Sequence, residues 1–179
     1  HFTQILLHVA VTLGVFLFCR RVLELGAGKP SDATAFAAAA IFAVHPINAG
    51  VVDYLNARSS LLTAAFLLPA LLAYMPAPSD VRPWRVATWF ALALFTKVEA
   101  IGALGAMWAF ELWQHGHGGD SGILASALRT FNKGTLRRLA PTLAVAAVYF
   151  LIRLKVMAPF PFGDSRHAAD VGAYEYFIT

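Results

Sequence analysis

Long apolar runs separated by short polar connections organise this chain. Residues 2–19 form one run, closed by Arg20-Arg21. Residues 33–44 form a second, shorter one, which gains length only if its helix takes in the residues around Pro46 and Asn48. Residues 59–75 form a third, with Pro69 inside it. Residues 86–113 form a long run broken near its middle by Lys97 and Glu99, and residues 140–157 form the last. About 20 apolar residues are needed to cross a bilayer core of about 30 Å. The pattern therefore predicts an all-α, polytopic bundle of transmembrane helices.

Composition strengthens that reading. The chain is 59% hydrophobic and only 13% charged, with a mean hydropathy of +0.64, far from the roughly half-apolar, quarter-charged make-up of soluble domains. A net charge of +4 does not point to nucleic acid, because the basic residues stand in short clusters between apolar runs, where they set membrane orientation. Those clusters also decide how to read residues 86–113. A single helix there would place Arg129, Lys133, Arg137 and Arg138 opposite Arg82 and Arg85. A hairpin of two short spans turning at Thr96-Lys97-Val98-Glu99 gathers both groups on one side with Arg20, Arg21 and Lys29, nine of the fourteen cations. The expected topology is six spans with both termini outside, the 114–138 linker cytoplasmic, a membrane module over 1–157 and an extracytoplasmic segment over 158–179. The chain starts at His1 and stops at Thr179, and is expected to be a piece of a longer one. Its lone Cys19 is expected to be a buried, inert thiol.

This topology gathers His45, Asp53, Asn56, Arg58, Lys97, Glu99 and Arg153 at the outer face. Ionisable groups at membrane depth are costly unless they face a cavity or one another, so their convergence is the candidate site. Each has a plainer reading as well. Arg58 suits an interfacial position before a span, and Asp53 with Asn56 suits loop or cap chemistry. Lys97 with Glu99 suits a structural ion pair, and Arg153 with Lys155 suits snorkelling at a helix end. His8 sits where it can hydrogen-bond a neighbouring helix, and the small residues of 33–43 favour close helix packing. "HGHGGDSG" lacks a third ligand at metal spacing and reads as a linker. No metal site and no matched catalytic residue is assigned.

Several motifs in register carry a family resemblance. His1, Gln4 and His8 on the first run, His45-Pro46 at the end of the second, Ala57-Arg58-Ser59-Ser60-Leu61-Leu62 opening the third, and Thr96-Lys97 at the turn resemble the middle of polytopic glycosyltransferases of the C superfamily (GT-C). The likeness covers residues 1–157 and is nearest to O-mannosyltransferase-like proteins with transmembrane and tetratricopeptide-repeat halves. It implies transfer of a sugar from a polyprenyl-phosphate carrier on the extracytoplasmic face of a membrane, expected to be a bacterial inner membrane. It also implies a divalent metal in the full-length enzyme. On this reading Arg58, Lys97 and Arg153 hold the lipid phosphate, and His45, Asp53 and Glu99 line the acceptor or cavity side.

The sequence departs from the family at its acidic positions. The acidic first loop would lie upstream of His1. Gly50 stands where the family carries Glu five residues after the "HP" histidine, and Val98 stands where Glu follows the turn Lys, with Glu99 displaced by one. One residue on a helix is a rotation of about 100°, so Glu99 substitutes only if the turn is irregular. Asp53 is the nearest alternative base, weakened by Arg58 beside it. This segment alone is therefore expected to transfer no sugar. The alternative is a non-catalytic GT-C-like subunit, partnered by other membrane proteins. A transporter is disfavoured because the charges gather at one face instead of lining a path.

Overall fold

The computed structural model describes residues 2–29, 31–48, 58–75, 82–116, 130 and 132–157. Among these the principal helices are α1 (Phe2–Ala27), α2 (Asp32–Val44), α3 (Arg58–Tyr74), α4 (Pro83–Thr96), α5 (Gly102–Gly116) and α6 (Lys133–Met157), with a 3-10 turn at Val98–Ile101 between α4 and α5. The described residues contain no strand, so the all-α expectation holds. Two helices, α1 and α6, are long and apolar enough to cross a membrane. The others have 13, 17, 14 and 15 residues, and at 1.5 Å per residue even the longest of them falls short of about 30 Å.

Local chemistry explains the boundaries. Gly28 adopts φ +71 just past α1, a conformation glycine takes without steric penalty. The Ser31 hydroxyl accepts the backbone N–H of Thr34 at 3.4 Å and caps α2. The expected extension of the second run through Pro46 does not occur: α2 ends at Val44, and His45 is extended with φ −64 and ψ 129. A residue that precedes proline is pushed out of the α region by the pyrrolidine ring. The break expected at Lys97 is present. Its backbone is extended, with φ −154 and ψ 132, and its N–H closes α4 on the Ala93 carbonyl at 3.0 Å.

The helices alternate in direction. α1 packs on α2 and α3, α3 on α4, and α4 on α6. Gly14 of α1 lies against Leu68 of α3, and Phe18, further on, shares a small apolar crevice with Leu71 and Tyr74, so these two helices run the same way. α2 returns, since His8 near the start of α1 donates its Nε2–H to the Ala43 carbonyl, 3.1 Å away, near the end of α2. One end of the bundle therefore carries His45, Arg58, Lys97 and the end of α6. The other carries Arg20, Arg21, Tyr74, Arg82 and the start of α6.

Many large apolar side chains face outward, and much of the buried set is small. Half of the sixteen buried apolar residues among those described are alanines, including Ala70, Ala93, Ala103 and Ala146, whereas Phe2, Leu13, Phe36, Ile41, Trp84, Phe95 and Leu154 are exposed. Small residues between helices permit the close backbone approach that association in lipid requires, because lipid offers large side chains as apolar a setting as a core does. Cys19 is half-buried instead of fully buried.

Gly14 tests the α1–α3 contact. A Cβ placed there would come within 2.8 Å of Leu68 Cδ1 and 3.3 Å of Leu68 Cβ. Gly14→Val is expected to destabilise the protein by about 1–3 kcal/mol through overpacking, and Gly14→Ala by less, because the Leu68 terminus can turn away. Thermal unfolding in detergent measures both.

Candidate functional site

At the end where α4 breaks, Lys97 leaves the helix and reaches across to α3. Its Nζ donates to Ser60 Oγ at 3.2 Å and pairs with Glu99 Oε2 at 3.0 Å. Ser60 lies in the first turn of α3, which opens at Arg58, so an ammonium stands beside the positive end of a helix dipole. Arg58 is exposed. The Lys97 side chain is 28% exposed and that of Glu99 70%, which leaves the pair open to whatever approaches this end. Because the turn after Lys97 is a 3-10 segment and not α-helix, Glu99 can fold back onto Lys97 despite its one-residue displacement.

Arg153 occupies the same end by a longer chain of contacts. Its NH1 donates to the Tyr149 hydroxyl at 3.3 Å, and the Tyr149 ring meets Phe95 edge-on at 5.3 Å. Phe95 lies two residues before Lys97 in α4. His45 is exposed and accepts the Ile47 N–H on Nδ1 at 3.2 Å. Lys97, Glu99 and the first turn of α3 are thus directly connected, whereas Arg153 is linked through Tyr149 and Phe95, and His45 sits just past the end of α2. Asp53 and Asn56 lie outside the described residues, as does the segment 158–179. Among the described residues no three His, Cys, Asp or Glu side chains converge as a metal site would require.

At the opposite end lies a buried network that the sequence pattern did not bring out. Glu111 of α5 is fully buried. Its Oε1 accepts the Tyr74 hydroxyl at 2.6 Å and pairs with Arg138 NH1 at 2.9 Å, while its Oε2 accepts the Thr135 hydroxyl at 3.2 Å. Arg138 NH2 also donates to the Tyr74 carbonyl at 3.3 Å, and its guanidinium lies over the Tyr74 ring at 4.8 Å. One carboxylate thus ties together the end of α3, the end of α5 and the start of α6. Arg138 had been expected to act only as an orientation charge in a cytoplasmic linker. It is instead helical and 7% exposed, while its neighbour Arg137 is exposed. A carboxylate inside an otherwise apolar run needs a partner, and Glu111 was that signal.

Four carboxylates are described, Glu24, Asp32, Glu99 and Glu111, and each is paired with a cation, among them Arg21, Arg20, Lys97 and Arg138 respectively. The α1 stripe of the sequence motif is also polar and inward. Gln4 is fully buried, and His8 stacks on Phe42 with ring centroids 5.8 Å apart while meeting the Ala43 carbonyl. Comparison with protein-family models, with curated proteins and with solved structures finds no match.

Proposed function

We propose that the chain is the membrane module of a GT-C-like, polyprenyl-phosphate-dependent glycosyltransferase, and that the Lys97 end binds the carrier phosphate. The supporting observation is the position of Lys97 at a helix break, on Ser60 in the first turn of α3 and two residues from Arg58 in that same turn. A leaving phosphate at a membrane edge is stabilised by fixed cations and backbone N–H groups in a low-dielectric setting. Arg58 and Lys97 form the core of this proposed site, with Arg153 at its margin and His45, Asp53 and Glu99 on the acceptor side. A divalent metal belongs to the full-length enzyme on this reading. The bundle then crosses a bacterial inner membrane six times, with the short α4–α5 pair as a hairpin whose turn lies outside.

A second reading rests on a specific observation: each described carboxylate is already paired with a cation, so none stands ready as a base. That arrangement suits a non-catalytic subunit which keeps the fold, has lost the chemistry and serves other membrane proteins. Incubating the purified chain with polyprenyl-phosphate mannose and a Ser/Thr-rich acceptor separates the two. Carrier binding without turnover is the expected result and supports a family member that needs residues outside this segment. Turnover lost in Asp53→Asn would place the catalytic base at Asp53 and remove the subunit reading. Absence of carrier binding would remove the glycosyltransferase reading.

The topology has its own test. Cysteine labelling at position 120, with Cys19 replaced, is expected to fail from outside intact cells and to succeed after permeabilisation. Labelling from outside would end the six-span arrangement.

A further inference from the structure

Lys97 is held from two sides, and its two partners differ in how firmly they are fixed. Nζ donates to Ser60 Oγ at 3.2 Å and pairs with Glu99 Oε2 at 3.0 Å. Ser60 is half-buried in the first turn of α3, so its hydroxyl stays where the helix puts it. Glu99 is different. Its side chain is 70% exposed, it stands in the single 3-10 turn Val98–Ile101, and Lys97 is the one partner of its carboxylate among the described residues. Breaking that contact therefore costs little. A solvent-exposed ion pair shifts an equilibrium by at most about fivefold, because water replaces either partner. A charge-assisted hydrogen bond to a phosphate is worth roughly ten- to a hundredfold. An anion that reaches Lys97 thus takes it from Glu99, while Ser60 keeps the ammonium in place during the exchange.

We propose that Glu99 is a displaceable counter-ion of the Lys97 site: its carboxylate holds the ammonium until a phosphate takes its place, and so lowers the affinity of that site for phosphate. The inference rests on the carrier-binding reading of this end and adds what the carboxylate does there. Sharing is disfavoured, because a phosphate oxygen and the Glu99 carboxylate on one ammonium repel each other at close range. The partner that moves is Glu99, since the Lys97 side chain is only 28% exposed and keeps its bond to Ser60. The Glu99 carboxylate is then released from its cation only while a carrier is bound.

The test is a titration of the full chain, purified in a neutral detergent, with a short-chain polyprenyl phosphate. Glu99→Gln keeps the size of the side chain and removes its charge, and is expected to tighten binding about two- to fivefold, the range a surface ion pair allows. Most of that gain is expected to disappear in the Lys97→Ala background, because two residues that act through one contact are not additive. Glu24→Gln removes the same charge from the Arg21 pair at the other end, and is expected to leave affinity at the parent value. An unchanged unfolding temperature establishes that each variant is folded. Parent-like or weaker binding by Glu99→Gln would overturn the counter-ion role, and so would an equal gain in Glu24→Gln or in the Lys97→Ala background. In each of those cases a loss of binding in Lys97→Ala alone keeps the carrier reading in place. No binding by the parent and none by Glu99→Gln would remove the carrier reading and the counter-ion role with it.

Discussion

Glu111→Ala is expected to be the most damaging single substitution in the described part of the molecule. It leaves the Arg138 guanidinium, 7% exposed, without its 2.9 Å carboxylate partner, and deprives the Tyr74 and Thr135 hydroxyls of their acceptor. Removing one member of a buried ion pair costs about 3–5 kcal/mol, because the remaining charge stays desolvated. The loss should appear as a large drop in unfolding temperature in detergent. Replacing both charges, as in Glu111→Leu with Arg138→Met, is expected to recover most of it, since an apolar pair of similar size carries no desolvation penalty. Tyr74→Phe is a milder companion, expected to cost about 1–3 kcal/mol for the hydrogen bond lost to a charged acceptor. If the Glu111 single variant unfolded like the parent, the network would not be what joins α3, α5 and α6.

Lys97→Ala is expected to have the largest effect on ligand binding. On the carrier reading, Lys97 supplies a charge-assisted hydrogen bond to the phosphate, worth about 1.5–3 kcal/mol, so affinity for a polyprenyl phosphate should fall roughly ten- to a hundredfold. Arg58→Ala should act in the same direction. Arg21→Ala, at the far end and paired with Glu24, should leave carrier affinity near the parent value. Titration of the purified chain with a short-chain polyprenyl phosphate measures all three. Parent-like binding in Lys97→Ala would show that the carrier does not sit on the α4–α5 break. Stability should change little, since Lys97 is only partly buried and its partner Glu99 is largely exposed.

The two ends of the bundle differ in how far local sequence revealed them. The Lys97 break was legible because a lysine and a glutamate interrupting a long apolar run are incompatible with an uninterrupted lipid-facing helix, and the distribution of basic residues favoured a hairpin over a single span. The link to Ser60 was not legible. It depends on α3 and α4 packing antiparallel with a register that only side-chain interdigitation sets, and this brings residues 37 positions apart to 3.2 Å. Arg58, Lys97 and Arg153 were expected to share one cavity. Lys97 and the first turn of α3 do meet, and Arg153 stands at the same end, joined to α4 through Tyr149 and Phe95.

The sequence by itself determined the helical class, the break at Lys97 and the alternating placement of cations, because each follows from the local length and polarity of a run. The end of α2 at His45 was also local, because the ring of Pro46 pushes the residue before it out of the α region. The inner ionic network was decided by tertiary structure. Arg137 and Arg138 are chemically identical neighbours about 100° apart around α6, and sequence distinguishes neither. One is exposed. The other is buried on Glu111, because the ends of α3 and α5 cover that side of the helix.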